Sequence, residues 1–316
     1  MFGFAVVVLS HFVMENADAN EWRVISELRT QRAGFATAVV EGKIYLIGGT
    51  LFEHEQGVER PELGPGIWRG PFGMSLVEVY DPETNTWQRL TDMPTVRSGA
   101  KAAVVAGRIY VLAGKVGKDN RAVNLTTLKV VEMYDPQTDT WVRKQDMSRR
   151  RAAFGIGVVA GKIYAIGGTV DLQPEVPWRV DLVEVYDPAK RADMPTRRRA
   201  VQAAVIRDTL YAMGGSGWPP AGGGGPFLGT IEVYEPRINR WTKRADMPNP
   251  RTVFSTVVVA DKIYLTSGMR AGDGRLAPVE VYEPATERWR VISARPTLWS
   301  PFGVAAVNGK IYVFGG

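Results

Sequence analysis

Small and apolar residues alternate with polar ones along this chain in runs of four or five, the period of half-buried strands rather than of helices. Ala36 to Val40 is such a run. A tight turn at Glu41-Gly42 leads into a second run, Ile44 to Ile47, so the pair reads as a hairpin. Val77 to Tyr80 alternates again in steps of two. Asp81-Pro82 then predicts a turn, since Asp accepts local backbone hydrogen bonds and Pro presets φ. A fourth strand is expected from Trp87.

This four-strand pattern recurs in a fixed frame. RAGFATAVVEGKIYLIGG runs from Arg32 to Gly49, and the same spacing from Arg to Gly returns at Arg97 to Gly114, Arg151 to Gly168, Arg198 to Gly215 and Arg251 to Gly268. A sixth copy ends at Gly316 and carries Trp299 at the Arg position. The second halves read VEVYDPETNTW, VEMYDPQTDTW, VEVYDPAK, IEVYEPRINRW and VEVYEPATERW. Tyr80 and Trp87, Tyr134 and Trp141, Tyr234 and Trp241, and Tyr282 and Trp289 keep one spacing. The third copy has lost its Trp and several neighbouring residues, with Pro188 in the Trp position, so its outermost strand is expected to be short or absent.

A four-stranded unit of about 50 residues cannot bury both faces alone, and neighbours packed side by side in a ring solve this. The expected fold is therefore all-β, a six-bladed propeller of four-stranded antiparallel blades, which leaves only short protected edges. Residues 1–316 form one domain in this reading, with repeats starting near 32, 97, 151, 198, 251 and 299. The last copy lacks its third and fourth strands, and residues 1–28 are expected to supply them. Trp22, Leu28 and Arg32 stand in the same frame as Trp87, Met93 and Arg97.

The glycine doublet after Ile-Tyr, the VYDP turn and the Tyr–Trp spacing resemble the Kelch repeat over nearly the whole chain. The resemblance implies a propeller with the innermost strand first in each blade. Ala113-Gly114 and Ser267-Gly268 depart from the doublet.

Composition narrows the chemistry. A 45% hydrophobic, 23% charged chain of 316 residues suits a soluble protein with a large core, and the net charge of +6 is spread rather than gathered in a tail. Without cysteine, disulfides, thiolate metal sites and cysteine nucleophiles are excluded. No apolar stretch approaches the ~20 residues that span a bilayer, so no membrane partner is expected. Phe4 to Leu9 and the small residues Ala17-Asp18-Ala19 have the look of an export leader, but no Lys or Arg precedes them and the frame gives them a place as a strand. The strand reading is preferred, and the compartment, cytoplasmic or exported, stays open.

Function is sought where the symmetry breaks. The turns joining first and second strands, such as VEGK and VAGR, hardly vary. From the second Gly to the Glu of the third strand the connections run 29, 18, 16, 17 and 12 residues. One face of the ring is thus regular, and the other carries variable loops of the kind that bind partners. Arg32, Arg97, Arg151, Arg198 and Arg251 are expected there around the channel mouth, thickened by Arg149, Arg150, Arg197 and Arg199. Guanidinium groups suit carboxylate or phosphate recognition; alternatively each bonds loop carbonyls. Trp68, Trp178, Trp218 and Trp299 fall in the variable loops, either as a ligand platform or as packing for the loops themselves. Glu78, Glu132, Glu184, Glu232 and Glu280 recur at one position and read as cross-strand partners of Lys or Arg rather than catalytic groups.

Enzymatic signals are weak. The galactose oxidases share such blades, but their copper site needs a Cys-linked Tyr and histidines, and this chain has no Cys and only His11 and His54. The same lack of ligands argues against zinc. The sialic acid mutarotases, also of Kelch type, need only an acid/base residue and an Arg; Glu53, Glu55, Glu59 or Glu62 would serve, with nothing to single one out. The leading expectation is a non-enzymatic, monomeric scaffold without cofactor or metal, capturing an anionic peptide or glycan on its loop face. A mutarotase-like carbohydrate enzyme is the alternative. Nucleic acid is not expected as a partner, because the arginines form a ring and not a groove.

Overall fold

The computed structural model describes residues 10–14, 22–51, 73–117, 125–169, 183–185, 191–217, 225–272, 277–293 and 303–315. Among these the protein is all-β, with five four-stranded antiparallel sheets and one three-stranded sheet in a propeller-like ring. The first sheet runs Ala36–Val40, Lys43–Ile47, Val77–Asp81 and Thr86–Arg89 from inside outward. The second follows as Lys101–Val105, Arg108–Leu112, Val131–Asp135 and Thr140–Arg143. The third contains Gly155–Val159, Lys162–Ile166 and Val183–Val185. The fourth and fifth start at Gln202–Ile206 and Ser255–Val259 and end at Arg240–Lys243 and Arg288–Ser293.

The sixth sheet joins both ends of the chain. Gly303–Val307 and Lys310–Phe314 are continued outward by Ser10–Met14 and then Trp22–Glu27. His11 pairs with Phe314 and Met14 with Ile311. The third sheet, whose outermost strand is expected to be short or absent, has three strands among the described residues, one fewer than the other five; residues 186–190, Pro188 among them, lie outside the described residues.

The innermost strands touch in succession around the ring, and the last touches the first. Apolar clusters fill every gap between adjacent sheets. Tyr45 and Val79 of the first sheet meet Ile109 and Tyr134 of the second, and Tyr312 and Phe314 of the sixth meet Leu46 and Tyr80 of the first. The regular face is set by two-residue turns with both residues at positive φ: Glu41 (50°) and Gly42 (75°), Ala106 (48°) and Gly107 (74°). That is the type I′ geometry whose twist matches the strands it joins.

Two repeated devices hold neighbouring sheets in register. In the first four repeats the second residue of the doublet bonds the next repeat's backbone, Gly49 N–H to Arg97 O at 3.0 Å and Gly215 N–H to Arg251 O at 2.9 Å among them. A Cβ on Gly49 would stand 2.8 Å from Ala33 O, and φ there is 108°, so this glycine is obligatory. The other device is a clasp. Asp139, at φ 50°, accepts from Tyr134 Oη (2.6 Å) and from Thr91 N–H of the preceding link (3.0 Å), while Trp141 Nε1 donates to Thr91 O (3.0 Å). Asn239, Tyr234, Trp241 and Ala192 repeat it at the fourth sheet.

Candidate functional site

The five repeated arginines sit at the loop-face end of the innermost strands, yet they do not present their guanidinium groups to solvent. Arg32, Arg97, Arg198 and Arg251 are 0% exposed and Arg151 is 1% exposed. Each side chain turns into its own sheet. Arg97 Nη1 donates to Val130 O (3.0 Å) and Ala113 O (3.3 Å), its Nε–H points at Met93 Sδ (3.2 Å), and Nη2 pairs with the Glu132 carboxylate. Arg32 repeats this with Leu76 O, Leu46 O and Glu78, the ion pair at 3.0 Å. Arg198 does so with Thr230 O, Ala212 O and Glu232, at 2.9 Å. Arg251 bonds Ser267 O, Pro278 O and Glu280. Arg151 donates to Gly167 O at 2.8 Å.

This corrects the expected open ring of cations. A buried guanidinium without partners would be very costly, so the sheet surrounds it with carbonyls and a carboxylate. Burial pulls Arg32, Arg97, Arg198 and Arg251 down to about 10 despite the attraction of their glutamates, which still leaves them charged at neutral pH. The repeated glutamates are thereby accounted for as well. Their second oxygens are held by Thr30, Thr95, Thr196 and Asn249, each two residues before its arginine. Sequence reasoning missed those four; the signal was a Thr or Asn recurring at one offset from Arg. One buried carboxylate facing an arginine would suit a catalytic centre, but here the pair recurs in at least four repeats as a structural pin and singles none of them out.

Beside these buried pairs the loop-face links carry exposed ion pairs, Arg89 with Asp92 and Lys243 with Asp246, and further cations. Lys115 and Arg199 lie on the loop face, at the ladders Ser98–Lys115 and Arg199–Ser216 that rim the second and fourth sheets. Burial lowers the Lys115 ammonium from its ordinary value, and its charged neighbour, Arg199, adds to that fall by repulsion. Arg150 reaches Thr127 O at 3.2 Å. A second feature of the same face is a cavity of about 550 Å³ beside the first sheet, where Arg29, Arg89, Asp92 and Glu78 meet the apolar Leu51 and Met74. Trp68, Trp178, Trp218 and Trp299, with Glu53, Glu55, Glu59, Glu62 and His54, lie outside the described residues.

Comparison with known proteins agrees with this architecture. The family model described as the Kelch motif matches residues 68–94, 97–148, 150–192 and 197–248, more than half of the chain. Kelch-like protein 36 of Mus musculus is 26% identical over 250 residues, covering 76% of this chain and 36% of that protein. The Kelch repeat and BTB domain-containing protein 12 of Homo sapiens is 31% identical over 160 residues, covering 48% and 24%. Kelch-like ECH-associated protein 1B of Danio rerio is 33% identical over 96 residues, covering 30% and 16%. The chain thus spans well under half the length of these curated relatives. The solved structure of YjhT superposes with a TM-score of 0.67 at 18% identity, covering 85% of this chain and 87% of that one, a likeness of fold alone.

Proposed function

Because the chain belongs to the Kelch-repeat family, we propose that it is a non-enzymatic interaction scaffold, a six-bladed propeller acting as a monomer, whose variable-loop face receives an anionic peptide or glycan. The observation that carries the reading is a pair of neighbouring cations on that face, Lys115 and Arg199. The repeat's own glutamates are taken up by the buried arginines, while Lys115 and Arg199 stand close enough to repel each other. An anion relieves such repulsion when it binds.

In this proposal Arg32, Arg97, Arg151, Arg198 and Arg251 are the pins beneath the face and touch no ligand directly. The loops bearing Trp68, Trp178, Trp218 and Trp299 supply apolar contacts around the charged centre, as aromatic anchors do in many interfaces. An array of acidic, neutral and basic peptides and of sulfated or sialylated glycans tests the reading. Acidic probes should bind best, more weakly as salt screens the exposed charges, and Lys115→Gln with Arg199→Gln should remove that preference. Equal binding of neutral and acidic probes, unchanged in the double variant, would reject it.

A further inference from the structure

The first residues of the six innermost strands are Ala36, Lys101, Gly155, Gln202, Ser255 and Gly303, which together rim the loop-side end of the channel. Five of them are small or neutral, and Lys101 is the single cation. Its ammonium reaches past the third sheet, where Gly155 offers no side chain, to Gln202 Oε1 in the fourth sheet at 3.5 Å. That is one long hydrogen bond for a group with three donors. No carboxylate faces it among the described residues: the flanking inner strands Ala36–Val40, Gly155–Val159 and Gln202–Ile206 carry no ionisable side chain.

The channel below this rim encloses a void of about 440 Å³. Its wall is made of the middle residues of the inner strands, among them Ala102, Ala103, Ala203, Ala204, Val257 and Val304. The two threonines in the wall are already engaged, Thr37 Oγ1 with Val304 O (3.1 Å) and Thr256 Oγ1 with Ala203 O (3.0 Å). The side chains of the lining are therefore mostly apolar, set between the backbone edges of the inner strands; its length is that of a five-residue strand, roughly 17 Å, and its volume is within the range of small-molecule sites. Lys101 and Gln202 are half-buried and stand one residue above the lining residues Ala102 and Ala203, at the head of this channel.

We propose that the channel is a second binding site, taking a small monocarboxylic acid whose anion meets Lys101 Nζ and the side chain of Gln202 while its hydrocarbon body lies along the Ala/Val wall. One cation at the head of the channel specifies one anionic group, and the Ala and Val side chains below it accept a short apolar tail. The proposal stands apart from the peptide or glycan reading, since it uses the channel and not the outer loops. The ammonium, which burial lowers to about 8, is poised to gain from an anion's arrival.

The test is titration calorimetry of the protein with sodium hexanoate, hexanamide and 1-hexanol at neutral pH. Hexanoate should bind at least about tenfold more tightly than the two neutral compounds, the discrimination expected of a charged hydrogen bond. Lys101→Met should abolish the difference, and Gln202→Leu should reduce it. In the unaltered protein the preference should fade as pH rises through about 8, so the result does not rest on a variant alone. Lys115→Gln with Arg199→Gln should leave hexanoate binding intact, and Lys101→Met should leave acidic-peptide binding intact, which separates failure of this site from failure of the loop-face site. Hexanoate that fails to bind, or that binds Lys101→Met equally well, overturns the proposal. So does a Lys101→Met protein that melts earlier while hexanoate binding persists, for Lys101 would then be a bolt between sheets.

Discussion

Arg97 and Lys101 stand four residues apart at the head of one sheet, Arg97 a fully buried cation and Lys101 a half-buried one. Their surroundings could hardly differ more. Arg97 has two carbonyls, a thioether and the Glu132 carboxylate within hydrogen-bonding range, and no exposed surface. Lys101 has one amide oxygen at 3.5 Å. Burial lowers both, Arg97 to about 10 and Lys101 to about 8, but only the second value comes near physiological pH. A buried cation that recurs in the repeat arrives with its partners, because every sheet must solve the same desolvation problem. A buried cation that occurs once has no such provision, and its cost must be offset by something the repeat does not contain.

Breaking the paired member should have the largest effect. Arg97→Met leaves Glu132 buried with its counter-ion gone and is expected to cost about 3–5 kcal/mol, the usual penalty for orphaning one half of a buried pair. Urea unfolding, in the two-state range, measures it. Adding Glu132→Leu should recover most of the loss, since an apolar pair of similar volume is often tolerated in such places. A single variant that unfolds within about 1 kcal/mol of the parent would mean that the carbonyls alone hold the loop face, the range of one ordinary hydrogen bond.

Replacing the unpaired member should do the opposite. The folded state holds Lys101 near 8 against an ordinary 10.5, so between those values the unfolded chain binds more protons. Stability therefore rises with pH across that window, and the burden of the charge is greatest below it. Lys101→Met should stabilise the protein at neutral pH by on the order of 1–3 kcal/mol and flatten the rise in melting temperature between about pH 8 and 10.5. An unchanged slope in the variant would show that Lys101 is solvated in the channel and that the contrast with Arg97 is one of position alone.

Much of this was readable in the chain. The Arg-to-Gly spacing, the I′ turns and the Tyr–Trp frame locate strands because each follows from local chemistry repeated in register. What stayed hidden is pairing across the variable loops. Arg32 and Glu78 are 46 residues apart in sequence, whereas Arg251 and Glu280 are separated by 29, so no fixed interval links the two series. The glutamates read as partners of a Lys or Arg and the arginines as receptors of an anion, and nothing in the spacing joins the two. Exposure was the other gap. A ring of arginines at a channel mouth and a ring of arginines turned into the sheets have the same sequence. Lys101 is unmarked in the sequence for the converse reason: it stands at a position whose residues are so varied that no pattern marks the exception.

The smallest effect concerns a second contrast between a satisfied and an unsatisfied copy, the clasp. Asp139 and Asn239 take a positive φ, receive a tyrosine hydroxyl and cap the preceding link's N–H. At the fifth sheet the same position is Glu287, at φ 54°, a conformation that Asn adopts more readily than Glu. Trp289 Nε1 there is buried with no acceptor, unlike Trp141 and Trp241. Tyr282 is pushed up to about 12, by burial first and then by the nearby Glu287 charge. Glu287→Asn should relieve the backbone, offer Tyr282 the acceptor its counterparts have and remove the charge. The change gives up only a surface pair with Arg244 at 3.3 Å, both side chains about two-fifths exposed, and such pairs contribute little. A net gain of roughly 0.5–1 kcal/mol is expected from one new hydrogen bond and the eased φ, read as a higher urea midpoint with an unchanged slope. The reverse exchange, Asn239→Glu, should lose at least as much, because it also strips the acceptor from Ala192 N–H. If both exchanges leave the midpoint where it was, the clasp follows from sheet packing and does not contribute to it.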